Sequence, residues 1–203
     1  MKKFNLMFIL AVTMFAAVSC KDDDDDNDSV TDQLTDSDRT FVLNAADGGM
    51  FEVMAGQLAL KMDSMMVDSM GTDSMAMDSM GMGTGTTSGL DSAGIRSFAS
   101  MMVTDHTKAN NELKTLAAKK SVTLPTTLTT AKQQKLDSLN AMSGSAFNRA
   151  YIKMMVSSHQ ETVDMFQKES DSGSDTDVKS FSSTWLPTFK THLQHAQMLQ
   201  DSL

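Results

Sequence analysis

The sequence predicts an all-α protein, an antiparallel four-helix bundle with a short extra helix between the second and third long helices. Apolar residues recur at three- and four-residue spacing along four long segments, which is the pattern of helices with one buried face. Turn-forming residues separate these segments, and only two prolines occur in 203 residues. Because no alternating pattern of strand length competes, four helices joined in series are expected to pack as a bundle.

The first two long helices are predicted from their capping residues. Asp38 or the serine before it can cap a first helix that runs to about Lys61, and two more turns can follow before Gly71. Asp91 can cap a second helix over 92–119, whose lysines near the C-terminal end suit the helix dipole. These two helices flank a methionine-rich segment.

A short helix and two further long helices complete the predicted bundle. Thr130 can cap the short helix, which ends before Gly144. The third long helix is predicted over 145–170 and the fourth over 176–203. Pro187 lies inside the fourth helix and has no N–H to donate, so we expect a kink there or a break into two pieces.

The N-terminal segment predicts export and lipidation. Residues 1–19 have a basic start, an apolar run and small residues before Cys20, which is the pattern of a lipoprotein signal peptide. The alternative is an ordinary cleaved signal with an incidental cysteine. Residues 20–36 are strongly acidic and predict a solvated tether after the lipidated Cys20. A lipid anchor implies a membrane partner and a cell-envelope location, as an outer-membrane lipoprotein that faces the periplasm or the surface.

The net charge of −9 is concentrated outside the predicted bundle. The acidic segment before Arg39 and the methionine-rich segment hold half of the 26 acidic residues. The predicted bundle holds the other 13, together with 14 lysines and arginines. The bundle itself is therefore nearly neutral. It lacks the basic patch of a nucleic-acid-binding protein, so we expect no nucleic-acid partner.

Each long helix carries one polar residue within its apolar stripe, and these residues are Glu52, His106, His159 and His192. All four lie near the middle of their helices. At a rise of about 1.5 Å per residue, helices packed side by side would bring them to a similar depth. One carboxylate and three imidazoles form a plausible ligand set for one Zn, Fe or Cu ion.

Further polar residues lie close to this set in the sequence. Asp105, Glu161 and His195 are candidates to support the ligands, and Tyr151 is a further polar residue on the third long helix. The competing interpretation is a metal-free polar core, because buried histidines are often satisfied by hydrogen bonds to carboxylates. No glutamate has a histidine three residues later, so the pattern of di-iron carboxylate bundles is missing. No catalytic residue is predicted.

Several short patterns resemble one family of bacterial proteins. They lie at 49–59, 98–107, 147–151, 186–187 and 192–193, and they read GMFEVMAGQLA, FASMMVTDHT, FNRAY, LP and HL. These patterns resemble the domain-of-unknown-function 4142 family. Members of that family are exported proteins, often described as outer-membrane proteins or lipoproteins.

The resemblance covers residues 38–61 and 92–203. It implies a ferritin-like four-helix fold and no established biochemical activity, and fold alone does not fix function. Asn148 stands where the family commonly has an aspartate. The resemblance therefore implies no carboxylate ligand at that position.

Residues 62–89 are predicted to be an insertion at one end of the bundle. Asp-Ser-Met recurs there at intervals of five residues, and successive units would lie about 140° apart around a helix, so they form no single face. Thioethers bind soft Cu(I) or Ag(I), which makes Met65, Met70, Met75 and Met80 weak candidates for a second metal site. A repeat that expanded without function and a surface for a protein partner remain as alternatives.

Together these observations predict a non-catalytic, metal-binding or stress-related accessory protein of the cell envelope. The alternative is a structural or adhesive surface module with a metal-free polar core and a functionless repeat insertion. A metal-dependent enzyme is the least favoured class, since the sequence shows no nucleotide-binding loop and no catalytic triad order.

Overall fold

The computed structural model describes residues 34–70 and 87–203, and the side chains of 34–64 and 93–203. The described residues form helices and no strands, and the helices are α1 (Asp36–Met70), α2 (Thr87–Lys119), α3 (Thr130–Asn140), α4 (Gly144–Ser172) and α5 (Thr176–Ser202). The predicted all-α fold is confirmed, and so is the short helix between the second and third long helices. None of the described helices is both long enough and apolar enough to span a membrane.

The four long helices close into an antiparallel bundle. Helix α1 packs against α2 and α4, and α5 packs against the same two helices. Gly49 of α1 lies against Asn110, whereas Gly56 lies against Ala99, so residue numbers rise along α1 as they fall along α2. The contacts between α1 and α4, α2 and α5, and α4 and α5 run in the same reversed order.

Small residues on α1 allow a close approach to α2. A Cβ atom added at Gly56 would lie 2.9 Å from Cγ2 of Val103 and 3.1 Å from the carbonyl oxygen of Ala99. Gly48 faces α3 instead, with Nζ of Lys132 as the nearest atom at 3.7 Å from an added Cβ. Only Gly56 of this pair is thus required by helix packing.

The helix starts differ from the sequence predictions at three caps. Helix α1 begins at Asp36, so Asp38 and the serine before it lie inside the helix and do not cap it. Helix α1 extends to Met70, which confirms the two additional turns. Helix α2 begins at Thr87, so Asp91 lies inside the helix and does not cap it. Residue Thr129 occupies the N-cap position of α3 and Thr130 is the first helical residue. Serine, threonine and aspartate all serve as caps, and several of them stand near each helix start.

Helix α5 is continuous through its internal proline, so the predicted break does not occur. Its start is held by Asp175, whose carboxylate accepts hydrogen bonds from the N–H groups of Asp177 and Val178 at 3.0 Å. Lys120, just beyond the end of α2, lies 2.7 Å from the same carboxylate. Asp38 in α1 accepts from the N–H groups of Ser174 and Asp175 at 3.0 and 3.1 Å.

The core consists of two apolar clusters. One contains Phe41, Leu113, Phe166, Trp185 and Phe189, and the other contains Phe51, Phe98, Met102, Tyr151 and Met155. On α2 and α4 one buried histidine separates the positions that belong to the two clusters, and on α1 and α5 a buried polar residue lies close to the boundary between them. We call these residues the polar layer, and they are Glu52, His106, His159 and His192, each 2% exposed or less.

A candidate metal centre in the polar layer

Three histidines converge at the centre of the bundle. His106 of α2, His159 of α4 and His192 of α5 each offer one ring nitrogen, and these nitrogens lie within 4.8 Å of one another. The Nε2 atoms of His106 and His159 are 3.3 Å apart. The apolar stripe of each helix turns these residues inward, and their mid-helix positions bring them to the same level.

The outer contacts of two histidines determine which nitrogen faces the centre. Nδ1 of His159 lies 3.0 Å from the carbonyl oxygen of Met155. Because a carbonyl oxygen can only accept a hydrogen bond, Nδ1 carries the proton. The lone pair of Nε2 therefore points toward His106. Nε2 of His192 lies 3.0 Å from Oδ2 of Asp105 and donates to it. Nδ1 of His192 is buried without a hydrogen-bond partner and is left as the ligand atom.

Aromatic rings hold the imidazoles in place. The ring of Phe189 stacks on His106 at a centroid distance of 4.8 Å and an interplanar angle of 7°. Phe98 packs edge-on against His159 at 6.3 Å. Because both phenylalanines are themselves buried, the rings have little freedom to turn away from the centre.

Glu52 lies behind His159 and not beside the three ring nitrogens. Its Oε1 accepts a hydrogen bond from Oγ of Ser158 and lies 3.8 Å from Nδ1 of His159. The group of ligand atoms that could hold a metal contains the three histidines without Glu52. The carboxylate is thus close to His159 without a hydrogen bond to it, because the carbonyl group of Met155 accepts the Nδ1 proton.

Burial keeps His106 and His192 uncharged. It lowers the pKa of His106 well below 6.5, and it lowers the pKa of His192 to about 4, with the neighbouring His159 acting in the same direction. Burial also raises the pKa of Glu52 above its ordinary value of 4.5. His106 and His192 are therefore neutral imidazoles at neutral pH, which is the form that binds metal ions.

Other polar residues have different places around the layer. Tyr151 is fully buried and its hydroxyl lacks a hydrogen-bond partner, and burial raises its pKa well above 10. Asp105 is one-third exposed and so links His192 to the surface. His195 packs edge-on against Phe98 at 6.2 Å, outside the group of three. Glu161 is exposed and donates or accepts no hydrogen bond in the layer.

Comparison with known proteins identifies the family. A family model described as "Domain of unknown function (DUF4142)" matches residues 86–199, which is more than half of the chain. The chain belongs to the DUF4142 family. The DUF4142 match contains all three histidines and Asp105, whereas α1 with Glu52 precedes it.

A solved structure of another family shares the DUF4142 fold seen here. The crystal structure of a DUF305 fragment from Deinococcus radiodurans is similar with a TM-score of 0.60 and 11% identity, and the match covers 84% of this chain and 99% of that one. At this identity the likeness concerns the fold alone. A search of curated proteins finds no match.

Sequence reasoning missed three contacts in this DUF4142 site. Ser158, the carbonyl group of Met155 and the ring of Phe189 all contact the polar layer. Ser158 could have been noticed, since it precedes His159 and one helical step turns it toward α1. The other two depend on ring orientation and on a backbone group, which a side-chain pattern does not record.

The remaining candidates of the sequence analysis lie beyond these contacts. Met65 and Met70 belong to α1, but the structure does not describe their side chains. Met75 and Met80 lie outside the described residues. Cys20, the signal peptide and the acidic tether lie outside them too, apart from the start of α1. These expectations stay predictions.

Proposed function

We propose that this protein is a non-catalytic metal-binding protein of the cell envelope, which holds one transition-metal ion between His106, His159 and His192. The observation that carries the proposal is the convergence of three buried ring nitrogens within 4.8 Å. Isolated buried histidines are common, but three that share one centre without a carboxylate among them are suited to a cation.

The nitrogen positions fit a small transition-metal ion. At Zn–N bonds of about 2.0–2.1 Å, two tetrahedral ligands lie roughly 3.4 Å apart, and the Nε2 atoms of His106 and His159 are already 3.3 Å apart. A modest inward movement of His192 would complete the set. Imidazole nitrogen suits Zn, Cu and Fe alike, so the three metals are the candidates to compare.

Two carboxyl groups behind the histidines support a divalent ion. Asp105 contacts His192 at 3.0 Å, and Glu52 lies 3.8 Å from His159. A buried cation is costly unless it is paired, and the carboxylate of Asp105 raises the basicity of the imidazole to which it is hydrogen-bonded. One carboxylate for each of two positive charges would keep the centre close to neutral.

The surroundings of the centre support binding without turnover. The cavity that borders His106 has a volume of about 20 Å³, which is enough for an ion or one water molecule but not for an organic substrate. Two apolar clusters enclose the layer from both sides. We therefore assign the site to metal retention and not to catalysis.

Metal titration of the full-length protein tests the proposal. We expect one Zn, Cu or Fe ion per chain by calorimetry and by elemental analysis, and we expect His106→Ala and His192→Gln each to weaken binding by about 100-fold. His195→Ala is the matched control, since this histidine lies one turn from His192 outside the group, and it should leave the affinity nearly unchanged. Failure of all three metals to bind stoichiometrically would refute the proposal.

The methionine-rich segment needs a separate variant. Leucine in place of all eight methionines of residues 62–82 eliminates its thioethers, while α1, α2 and the segment between them are retained. If the histidines form the main metal site, this variant should still bind one metal ion per chain. Loss of all metal binding would instead move the site to the methionines.

The envelope location rests on Cys20 and on the signal pattern before it. Cys20→Ser should release the protein from the membrane fraction into the soluble fraction, and membrane retention in that variant would contradict lipid anchoring. The second candidate function, a structural surface module, is favoured by the hydrogen bonds already present within the layer, such as His106 to His159. It predicts no metal uptake and no loss of stability on chelation.

A further inference from the structure

An open groove lies apart from the polar layer, between α1 and the C-terminal half of α2. Its volume is about 430 Å³, and the segment 122–126 forms its third wall. This volume is within the range of small-molecule sites, which runs from about 300 to 1,000 Å³. The groove therefore has room for a ligand that the centre of the bundle does not.

The end of α2 creates the groove. Ser121 has a φ of 53°, and N–H groups of Ser121 and Val122 donate to the carbonyl oxygens of Ala118 and Ala117 at 3.2 and 2.8 Å. This is the Schellman pattern, in which a left-handed residue closes a helix and turns the chain back. The chain after α2 thus leaves the helix axis and runs beside it.

A second anchor holds the wall in position. The carboxylate of Asp47 on α1 accepts from the backbone N–H and the hydroxyl of Thr129 at 2.9 and 3.0 Å. Pro125 fixes its own φ and disfavours helix in the residue before it. The segment is consequently tied at both ends and crosses from α2 to α1 without filling the space beneath it.

The lining of the groove is mainly apolar and includes one cationic side chain. The floor and walls include Met50, Leu113, Ala117, Val122, Leu124 and Pro125, and no acidic side chain is among the lining residues. Lys114 is the charged residue of the lining and is exposed. Within the described part of the chain, no ion pair occupies its ammonium group.

We propose that this groove binds a fatty acid, with the acyl chain on the apolar floor and the carboxylate beside Lys114. Burial of the acyl chain supplies the affinity, because apolar area removed from water is the main favourable contribution. The exposed ammonium group contributes less but selects the sign of the head group. A cationic amphiphile would place its positive charge next to that of Lys114. Because the lining contains no acidic residue, nothing in it would offset the repulsion between the two charges.

Two amphiphiles with the same chain length test the proposal on the full-length protein. Sodium dodecanoate and dodecyltrimethylammonium are titrated below micelle formation, and binding is followed by calorimetry and by amide shifts of residues 113–126. We expect one dodecanoate per chain, bound about tenfold or more tightly than the cation. Equal affinity for the two amphiphiles, or shifts that spread evenly over the bundle, would overturn the proposal.

Three variants distinguish the contribution of the acyl chain to binding from that of the carboxylate head group. Ala118→Trp fills the groove from an exposed lining position and should weaken dodecanoate by about tenfold or more. Lys114→Glu should weaken it roughly three- to tenfold and reduce the preference for the anion. Lys153→Glu, at an exposed position on α4, is the matched control and should change nothing. Unaltered binding in Ala118→Trp would place the ligand elsewhere and contradict the groove.

Discussion

Asp38 and Glu169 bring two carboxyl groups into contact where the first turn of α1 meets the end of α4. The N–H groups of the turn before α5 hold the pKa of Asp38 below its usual range, although burial opposes this. Burial, followed by the hydrogen bond and the charge of Asp38, raises the pKa of Glu169 to about 7. Glu169 is therefore the carboxyl group of the pair that takes up a proton first as the pH falls.

This carboxyl pair should make the stability depend on pH. The pKa of Glu169 is higher in the folded chain than in the unfolded one, so its stabilising effect is complete below pH 4.5 and is lost as the pH rises through about 7. We expect Glu169→Gln to remove this contribution, so that its melting temperature gains on that of the wild type as the pH rises from about 4.5 to 7, as measured by circular dichroism. Glu161→Gln, at an exposed position of the same helix, should follow the wild-type curve. An unchanged slope in Glu169→Gln would show that this proton is not the one involved.

Ser121 is the one non-glycine residue with positive φ in the described part of the chain. Left-handed conformation costs a residue with a Cβ roughly 1 kcal/mol, and glycine avoids this cost at the end of a helix. We expect Ser121→Gly to raise the free energy of unfolding by up to about 1 kcal/mol in urea denaturation. Ser121→Ala keeps the Cβ and should give no such gain. A destabilised Ser121→Gly would indicate that the serine side chain contributes more than its backbone strain costs.

At the scale of elements, the contact between α1 and α2 depends on Gly56. A methyl group there would press on Val103 and on the backbone of Ala99, and overpacking of this kind costs about 1–3 kcal/mol. At Gly48 the nearest atom is the end of a lysine side chain, so alanine there should gain up to about 1 kcal/mol of helix propensity. We expect Gly56→Ala to lower the melting temperature and Gly48→Ala to raise it. Shifts of the same sign would contradict the close helix contact at Gly56.

The helices could be predicted from the sequence far better than their ends. The stripes through His106 and His159 identify long buried faces because every third or fourth residue is apolar over many turns. The start of α2 was placed at Asp91 and lies at Thr87, since adjacent residues of similar capping strength differ little in free energy. Pro187 does not break α5, because packing along the whole helix outweighs one missing hydrogen bond.

At the scale of the whole molecule, the polar layer joins residues from all four long helices. A cation held by three of these helices stabilises the folded chain and not the unfolded one. At a free metal concentration 100 times the dissociation constant, the gain is about 2.7 kcal/mol. We expect the preferred metal to raise the melting temperature and a chelator to reverse the change, as measured by calorimetry. His192→Gln should abolish this shift, and a shift of equal size in that variant would point to binding outside the layer.

The positions of the candidate ligands could be predicted more easily than their roles. Helix face and mid-helix height suffice to bring His106, His159 and His192 together, because both follow from residue spacing. Glu52 was expected beside them, yet it lies behind His159. Which nitrogen faces the centre depends on side-chain torsions and on Asp105, and residue spacing contains no information about either.

The polar layer also has a consequence for the alignment of the helices. Two apolar clusters alone would tolerate a helix that slid along its neighbours by one turn, since apolar surfaces are interchangeable. A slide of about 5.4 Å would carry an imidazole into one of the apolar clusters and separate it from its hydrogen-bonding partner. We infer that these four buried residues select one register among several of similar packing energy, as single polar residues do in coiled coils.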